Sequence, residues 1–392
     1  MSQRKQKALI VAGLMFIGAI SRAPTVSLGP LFPEIKESLQ INYGVIGLIM
    51  TIPVIALGVS SIPVSTLINR KGLSFSIILG LAIYGLSLPI RSFMGFFGLF
   101  TGTFLVGLGM AFTNILSSVI IKEHFPLKIG IMTGLYTTVM YLFSALSSAV
   151  AVPLSDAFNS WQVSLSLWFP LIVFTLLLWV YQIKRDSNIN YEVTTATFKD
   201  AMGLIRIPLV RWITVLMASQ SIIYFCTLSY MPAIMQEAGF SGETAGLMAS
   251  VVQLSGIPSA LLSGAVVYKF KKQQLPCVFV AFTFLIATLL MIYSRSLFGF
   301  FLCSLFMGFS MAASYTLYLC ILTLRSKNSS QAGMVAGATS LFGYLITSLG
   351  PTIMGFAYNL FSSFTLPLYG LVICAFFYGL SGIKSGKDMV MD

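Results

Sequence analysis

Charged residues are scarce in this 392-residue chain, in which aspartate, glutamate, lysine and arginine together make up 9%. Soluble domains carry about 25%, so a water-soluble globular protein is excluded. The hydrophobic residues, 57% of the chain, form long runs instead, and one bilayer span takes about 20 apolar residues. Twelve such runs, joined by short loops, use nearly the whole sequence. The chain is therefore predicted to be an all-α membrane protein with twelve transmembrane helices.

The predicted spans are numbered 1 to 12 in chain order. They cover residues 8–31, 43–66, 73–91, 96–120, 129–153, 161–182, 210–233, 243–267, 273–293, 297–322, 331–355 and 364–383. One long polar segment, residues 182–211, separates spans 6 and 7. We therefore predict an N-terminal six-helix bundle at 1–183, a linker at 184–209 and a C-terminal six-helix bundle at 210–392.

Reactive side chains are also few. The five cysteines all lie in apolar spans and form no C-x-x-C pair, which predicts small buried residues and no disulfide or metal framework. The single histidine, His124, lies in a predicted loop. The sequence shows no nucleophile–base pair, metal-ligand set or glycine-rich phosphate loop. An enzyme is therefore not expected, nor is a cofactor or metal. We also predict no cleavable signal peptide.

Positive charge is distributed unevenly. Of the 23 lysines and arginines, 19 fall on the side of the two termini and the central linker, and 3 on the opposite side. The positive-inside rule then predicts a multi-pass protein of a bacterial-type cytoplasmic membrane, with both termini in the cytoplasm. This asymmetry accounts for the net charge of +12, so the expected surroundings are the lipid bilayer, and nucleic acid is not an expected partner.

The two predicted bundles resemble each other in sequence. Matching positions are Pro33 with Pro232, Gly107 with Gly308, Met110 with Met311, Met132 with Met334 and Gly134 with Gly337, at separations of 199 to 203 residues. A parallel 6 + 6 repeat is the architecture of the major facilitator superfamily. Glycines crowd spans 4, 8 and 11 and predict close helix packing; they include Gly102, Gly107, Gly109, Gly256, Gly264, Gly333, Gly337 and Gly343.

Within that superfamily, the chain resembles the cyanate permease-like group from end to end. The resemblance rests on the run 22–31 (Arg-Ala-Pro-Thr-Val-Ser-Leu-Gly-Pro-Leu), Pro53, Arg91, the run 114–122, Phe125-Pro126, the run 132–136, Tyr224 and the run 230–232. Relatives handle cyanate or nitroimidazoles, which differ in charge. The resemblance implies a monomeric small-solute permease, with a site near mid-membrane between the halves and alternating access by rocking.

This chain also departs from the family pattern. Ser117 stands where the family often has proline, and Gln162 stands where an arginine commonly follows the tryptophan. The loop between spans 2 and 3 keeps Arg70 and Gly72 of the superfamily signature, but Asn69 replaces its aspartate. We expect Arg70 and Gly72 to have gating or structural roles, without a charge relay through Asn69.

Arg22 is the clearest candidate for a functional residue. It lies 14 residues beyond Ala8, about 21 Å along a helix, and so near the middle of span 1. An intramembrane arginine costs from about 3 to more than 10 kcal/mol, and such residues usually face a ligand or a wet cavity. Its planar fork suits small anions. The alternative is a structural role in which carbonyls freed by Pro24 bind the guanidinium.

Further polar residues near mid-span are candidates for substrate contact. They are Asn114, Tyr136, Tyr141, Gln220, Tyr224, Gln253, Tyr315 and Tyr344. Gln220 and Tyr224 share a helical face, whereas Tyr136 and Tyr141 point about 140° apart, so only one of these two is expected to look squarely into a cavity. Arg91, at the end of span 3, is expected to be a snorkelling interface anchor or a structural contact.

Acidic residues are missing from the middle of every predicted span, because all eleven lie in loops, tails or span ends. Proton relays in membranes generally use intramembrane Asp, Glu or His. The absence favours facilitated diffusion, exchange with a counter-transported solute, or proton symport in which the anion itself carries the proton. Glu34, at the outer end of span 1, is the nearest candidate for a relay or gate.

Together these patterns predict a secondary active or facilitative transporter of a small polar solute, a small anion in the first place, with Arg22 in the central cavity. Two alternatives remain. An exporter of amphipathic drugs would account for the 13% aromatic residues and 19 methionines, since adaptable apolar surfaces suit varied ligands. A transport-derived sensor would bind a solute without moving it.

Overall fold

The computed structural model describes residues 3–41, 43–185 and 198–388. Within these ranges, twelve helices are long and apolar enough to cross a membrane, which confirms the number of predicted spans. Spans 1 to 6 correspond to Gln3–Val26, Tyr43–Lys71, Leu73–Phe93, Gly95–His124, Ile129–Phe158 and the pair Trp161–Ser166 and Trp168–Arg185. Spans 7 to 12 correspond to Pro208–Glu237, Gly242–Lys269, Gln274–Tyr293, Leu297–Arg325, Ser329–Phe361 and Thr365–Ser385. Several helices run a turn or more beyond the predicted bounds.

Two short helices lie in segments predicted to be loops. Phe32–Leu39 follows span 1 after a 3-10 turn, and Phe198–Gly203 lies in the linker. Residues 186–197 of the linker lie outside the described residues. Span 6 is interrupted at Leu167, and its second helix carries Pro170 in the first turn. Proline is tolerated there because first-turn amides have no helical acceptor.

Contacts divide the chain into two compact units. Unit 1 holds residues 1–126, 142–204 and 328–341. Unit 2 holds residues 127–141, 205–327 and 342–392. The first part of span 5 thus belongs to unit 2, and the first part of span 11 to unit 1. The division into two six-helix bundles with a linker stays a prediction from the sequence.

The internal repeat extends from sequence to helix packing. In unit 1, a Cβ on Gly107 would lie 2.5 Å from the carbonyl oxygen of Pro53, so spans 4 and 2 touch at their backbones. In unit 2, a Cβ on Gly308 would collide with the carbonyl of Val252, where spans 10 and 8 touch. The partners Pro53 and Val252 are 199 residues apart, the same spacing as the sequence repeat.

A second pair of glycines repeats in the same way. In unit 2, a Cβ on Gly134 of span 5 would lie 3.0 Å from the carbonyl oxygen of Ala260 in span 8. In unit 1, a Cβ on Gly337 of span 11 would lie 2.9 Å from the carbonyl oxygen of Ser61 in span 2. Small residues allow such close approach of membrane helices. Both contacts therefore depend on glycine.

Spans 3 and 4 pack closely through two more glycines. A Cβ on Gly102 would overlap the backbone of Arg91, and one on Gly109 would overlap the ring of Tyr84. Tyr84 and Arg91 are seven residues apart, about two helical turns, and so lie on one face of span 3. Span 4 thus supports the two residues whose side chains reach span 1.

We expect Gly102→Ala to lower the free energy of unfolding by about 1–3 kcal/mol, because its methyl group would meet backbone atoms that cannot move aside. The measurement is the thermal unfolding midpoint of the purified protein. Gly370→Ala is the matched control, since a Cβ there has no neighbour within 4 Å. Equal losses in both variants would contradict the packing assigned to Gly102.

Candidate substrate-binding site

Pro24 interrupts the hydrogen bonding of the span 1 helix. Proline lacks an N–H, so the carbonyl of Ile20, four residues earlier, loses its helical donor. The hydroxyl of Tyr84 in span 3 donates to this carbonyl oxygen at 2.8 Å. The Ser147 hydroxyl of span 5 donates to the carbonyl of Ala23 at 2.6 Å, as a second bond beside the helical one from the Ser27 amide at 3.1 Å. A side chain from span 3 therefore replaces the donor that Pro24 cannot supply, and a side chain from span 5 binds the same segment.

Arg91 completes this set. The amide of Leu28 bonds to the carbonyl of Thr25 at 3.3 Å and so does not reach the carbonyl of Pro24. Arg91 Nη1 donates to the Pro24 carbonyl at 2.7 Å, and Nη2 donates to the carbonyl of Leu165 in span 6 at 3.4 Å. Arg91 is 0% exposed, so the predicted snorkelling anchor is wrong. Its side chain makes a structural contact, which was the other prediction.

Span 4 also contacts the interrupted segment. The hydroxyls of Ser21 and Thr113 are hydrogen-bonded at 3.3 Å, and the Thr25 hydroxyl donates to the sulfur of Met110 at 3.2 Å. Residues 20–25 of span 1 are thus held by spans 3, 4 and 5. All these groups belong to unit 1.

Arg22 lies inside this held segment. It is buried, with 7% of the residue's surface exposed, and it follows Ser21 in the sequence. Asn114 is the neighbour of Thr113 and is also buried. The Ser21–Thr113 hydrogen bond joins spans 1 and 4 at this point. It therefore places Arg22 and Asn114, the sequence neighbours of these two residues, at the same height along the two helices of unit 1.

The other seven candidates lie in unit 2. They are Tyr136, Tyr141, Gln220, Tyr224, Gln253, Tyr315 and Tyr344, and all are buried. Tyr141 packs beside Gly256, where a Cβ would lie 3.0 Å from its ring. The amide of Gln220 donates to the Ser221 hydroxyl at 2.6 Å. Burial alone does not separate Tyr136 from Tyr141, so their relation to a cavity stays a prediction.

The predicted gating residues occupy helix ends. Gly72 has φ +85° in the tight turn between spans 2 and 3, a conformation that favours glycine, and Arg70 beside it is exposed. Asn69 is buried and accepts a hydrogen bond from the Ser330 hydroxyl at 3.1 Å, within unit 1. Glu34 accepts a hydrogen bond from Ser155 at the end of span 5.

Sequence reasoning missed the residues that support the site. Tyr84, Ser147 and Thr113 were not among the candidates, although each binds the interrupted segment. The seven-residue spacing of Tyr84 and Arg91 was the one available signal, since it places a tyrosine and an arginine on one face. Ser147 and Thr113 carry no such signal, because isolated hydroxyls are common in membrane helices.

We expect Tyr84→Phe to destabilise the protein by about 1–3 kcal/mol, because it removes the donor and leaves the buried Ile20 carbonyl unsatisfied. Thermal unfolding of the purified protein measures this. Tyr358→Phe is the control, since the Tyr358 ring keeps its stacking on Phe364, with centroids 4.2 Å apart, when the hydroxyl is removed. An unchanged midpoint for Tyr84→Phe would disprove the role of this hydrogen bond.

Known proteins similar to this chain are transporters. YycB of Bacillus subtilis (strain 168), an uncharacterised transporter, is 30% identical and matches 99% of this chain and 96% of its own length. The 2-nitroimidazole transporter of Escherichia coli (strain K12) is 27% identical over 98% of this chain and 97% of its own length. The cyanate transport protein CynX of the same organism is 21% identical over 64% and 65%.

Solved structures agree in fold. The human organic anion transporter MFSD10 has a TM-score of 0.77 at 14% identity, covering 95% of this chain and 99% of its own. The Escherichia coli fucose:proton symporter FucP has a TM-score of 0.70 at 15% identity, covering 97% and 98%. Residues 14–351 match the family model of the Major Facilitator Superfamily. The chain belongs to the Major Facilitator Superfamily, as the repeat and the resemblance predict, and it is a transporter rather than an enzyme.

Proposed function

We propose that the protein carries a small anion across the cytoplasmic membrane by alternating access, and that the Arg22 guanidinium binds the anion. The observation that carries this proposal is a buried arginine, 7% exposed, in the middle of a membrane span. Intramembrane charges are expensive and are mostly kept for function. A charged group in a water-poor setting also binds an opposite charge more strongly than it would in water.

The main alternative for Arg22 is a structural role at the carbonyls near Pro24. Those of Ile20, Ala23 and Pro24 already accept hydrogen bonds from four other side chains, namely Tyr84, Ser147, Arg91 and Ser27. The interrupted helix is therefore satisfied by neighbouring spans, which weakens the structural reason for a cation at position 22. A ligand role is favoured on this ground.

The substrate class follows from the chemistry of arginine and from the relatives. A planar guanidinium presents parallel donors that match carboxylate-like and other small planar anions. The two relatives with named substrates handle 2-nitroimidazole and cyanate, both small and polar. We propose a small polar solute with anionic oxygens or nitrogens, with Asn114 as a neutral partner beside Arg22.

The candidates of unit 2 would contribute neutral polar contacts. Gln220 and Tyr224 are one turn apart in span 7, and Tyr315 lies 6.1 Å from Tyr318 between ring centroids. Amide and phenol groups orient a solute without adding a second charge. Since no acidic residue is predicted at mid-span, we propose facilitated diffusion, exchange, or symport in which the anion carries the proton.

We expect Arg22→Gln to weaken anion binding at least tenfold while the unliganded protein unfolds at nearly the wild-type temperature. At a given concentration, a ligand that binds more tightly raises the unfolding midpoint further, so thermal shifts with cyanate, nitrate, short carboxylates and neutral heterocycles measure both substrate class and mutant effect. Uptake of labelled cyanate into proteoliposomes gives the transport rate. Arg22→Lys keeps the charge without the fork and should bind with intermediate affinity.

Arg211→Gln serves as the control, because Arg211 is an exposed arginine at the start of span 7. It should leave both binding and transport unchanged. The proposal fails if Arg22→Gln binds and transports every solute like wild type. If only bulky amphipathic compounds stabilise both proteins equally, Arg22 is structural and the drug-exporter alternative holds.

A further inference from the structure

A buried arginine at the end of span 10 holds two other parts of unit 2 together. Arg325 is 3% exposed, and its Nη1 donates to the Asp388 carboxylate at 3.3 Å. Its Nη2 donates to the side-chain oxygen of Gln273. The same Nη2 lies 3.4 Å from the carbonyl oxygen of Gly386 and 3.5 Å from that of Lys271. Arg325 thus joins the loop between spans 8 and 9 to the segment that follows span 12.

The loop and the C-terminal segment are also bonded directly to each other. The backbone amide of Gln273 donates to the carbonyl of Gly386 at 2.9 Å, and the side-chain amide of Gln274 donates to the carbonyl of Ile383 at 2.7 Å. A Cβ on Gly386 would lie 2.7 Å from the amide nitrogen of Gln274, so the two backbones touch. The two segments therefore lie side by side at one end of unit 2.

Lysine is the main charged residue of these two segments, residues 269–274 and 383–388, which together are called the basic platform. All of its lysines are exposed, and they are Lys269, Lys271, Lys272, Lys384 and Lys387. None of them makes a salt bridge with a described residue. The one acidic residue of the platform, Asp388, is already paired with Arg325. The network therefore gathers five positive charges without an acidic partner among the described residues.

The gathering of these charges goes beyond what membrane topology requires. The positive-inside rule accounts for lysines in separate loops, but it does not require a hydrogen-bond network that brings those loops together. Like charges repel one another, so the arrangement has an electrostatic cost that a bound anion would remove. The basic platform therefore favours an anionic partner.

Exposed apolar side chains continue from the basic platform along the two membrane helices. Leu275 and Phe279 of span 9 are exposed and lie one turn apart on the same face. Ile383, at the end of span 12, is also exposed. Both helices are long and apolar enough to cross a membrane. A partner with a phosphate at the lysines and acyl chains beside these side chains would match both parts, whereas a nucleic acid or an acidic peptide would match the charge alone.

We propose that the basic platform binds the headgroup phosphate of an anionic phospholipid. Lysine ammonium groups contact phosphate as point charges, and clusters of basic residues at the ends of membrane helices recognise such headgroups. The C-terminal segment is part of the site, because Arg325 and Gly386 hold it beside the loop. The site is separate from Arg22 and does not depend on the transport function proposed for that residue.

The test titrates the full-length purified protein in detergent with dioctanoyl phosphatidylglycerol or dioctanoyl phosphatidylcholine. Calorimetry and the thermal unfolding midpoint are the readouts. We expect saturable binding of phosphatidylglycerol that is about tenfold tighter than that of phosphatidylcholine and that weakens as salt is added, because salt screens exposed charges. A triple variant with Lys271→Gln, Lys272→Gln and Lys384→Gln should bind phosphatidylglycerol about tenfold more weakly, since three attractive charges are lost. Its binding of phosphatidylcholine should be unchanged.

A control variant removes the same number of positive charges from exposed positions outside the basic platform, with Lys128→Gln, Lys199→Gln and Arg206→Gln. It should bind phosphatidylglycerol like wild type, as should Arg22→Gln. Lys272→Gln alone repeats the comparison should the triple platform variant fail to fold. Equal losses in the platform and control variants would show attraction by net charge alone and overturn the proposal, as would equal binding of both lipids to wild type. Displacement of the lipid by inorganic phosphate would overturn the assignment to a phospholipid.

Discussion

The carbonyl groups around Pro24 impose the main constraint on unit 1. Water is absent from the bilayer core, so each backbone group without a helical partner must be satisfied by another part of the protein. Tyr84 and Arg91 of span 3 meet this requirement for the carbonyls of Ile20 and Pro24. This requirement places span 3 against span 1. The glycines of span 4 then make room for the backbone of Arg91 and the ring of Tyr84. The segment that contains Arg22 is thus held by spans 3, 4 and 5.

Glycine contacts organise both units on one plan. Corresponding glycines of spans 4 and 10 meet spans 2 and 8, and those of spans 5 and 11 meet spans 8 and 2. The carbonyls that they approach are separated by the same 199 residues in each case, as Ser61 and Ala260 illustrate. Each contact preserves close backbone approach while the surrounding side chains have diverged. The candidate site residues differ between the units, since unit 1 offers an arginine and an asparagine, and unit 2 offers amides and phenols.

The spans and the repeat could be predicted because they depend on hydrophobic run length and on small residues at fixed spacing. The break of span 6 at Leu167 and the helix Phe32–Leu39 could not, because both are decided by local capping and by packing against other spans. Arg22 could be identified as a candidate from the sequence alone, since a charge within an apolar run is conspicuous. The burial of Arg91 could not be predicted from the sequence, because its hydrogen-bond partners lie 67 and 74 residues away. Because Arg91 lies near the end of span 3, the sequence predicted an exposed interface anchor instead.

The long sequence separation of those partners has a consequence for the order in which the membrane protein is made. Span 1, with the Pro24 carbonyl, precedes Arg91 in synthesis, but the Leu165 carbonyl follows it by 74 residues. Span 3 must therefore enter the bilayer with a guanidinium that has only part of its final set of acceptors. A location near the span end keeps that charge within reach of interfacial water during insertion. Its complete burial is then a late event, reached when span 6 arrives and closes over it.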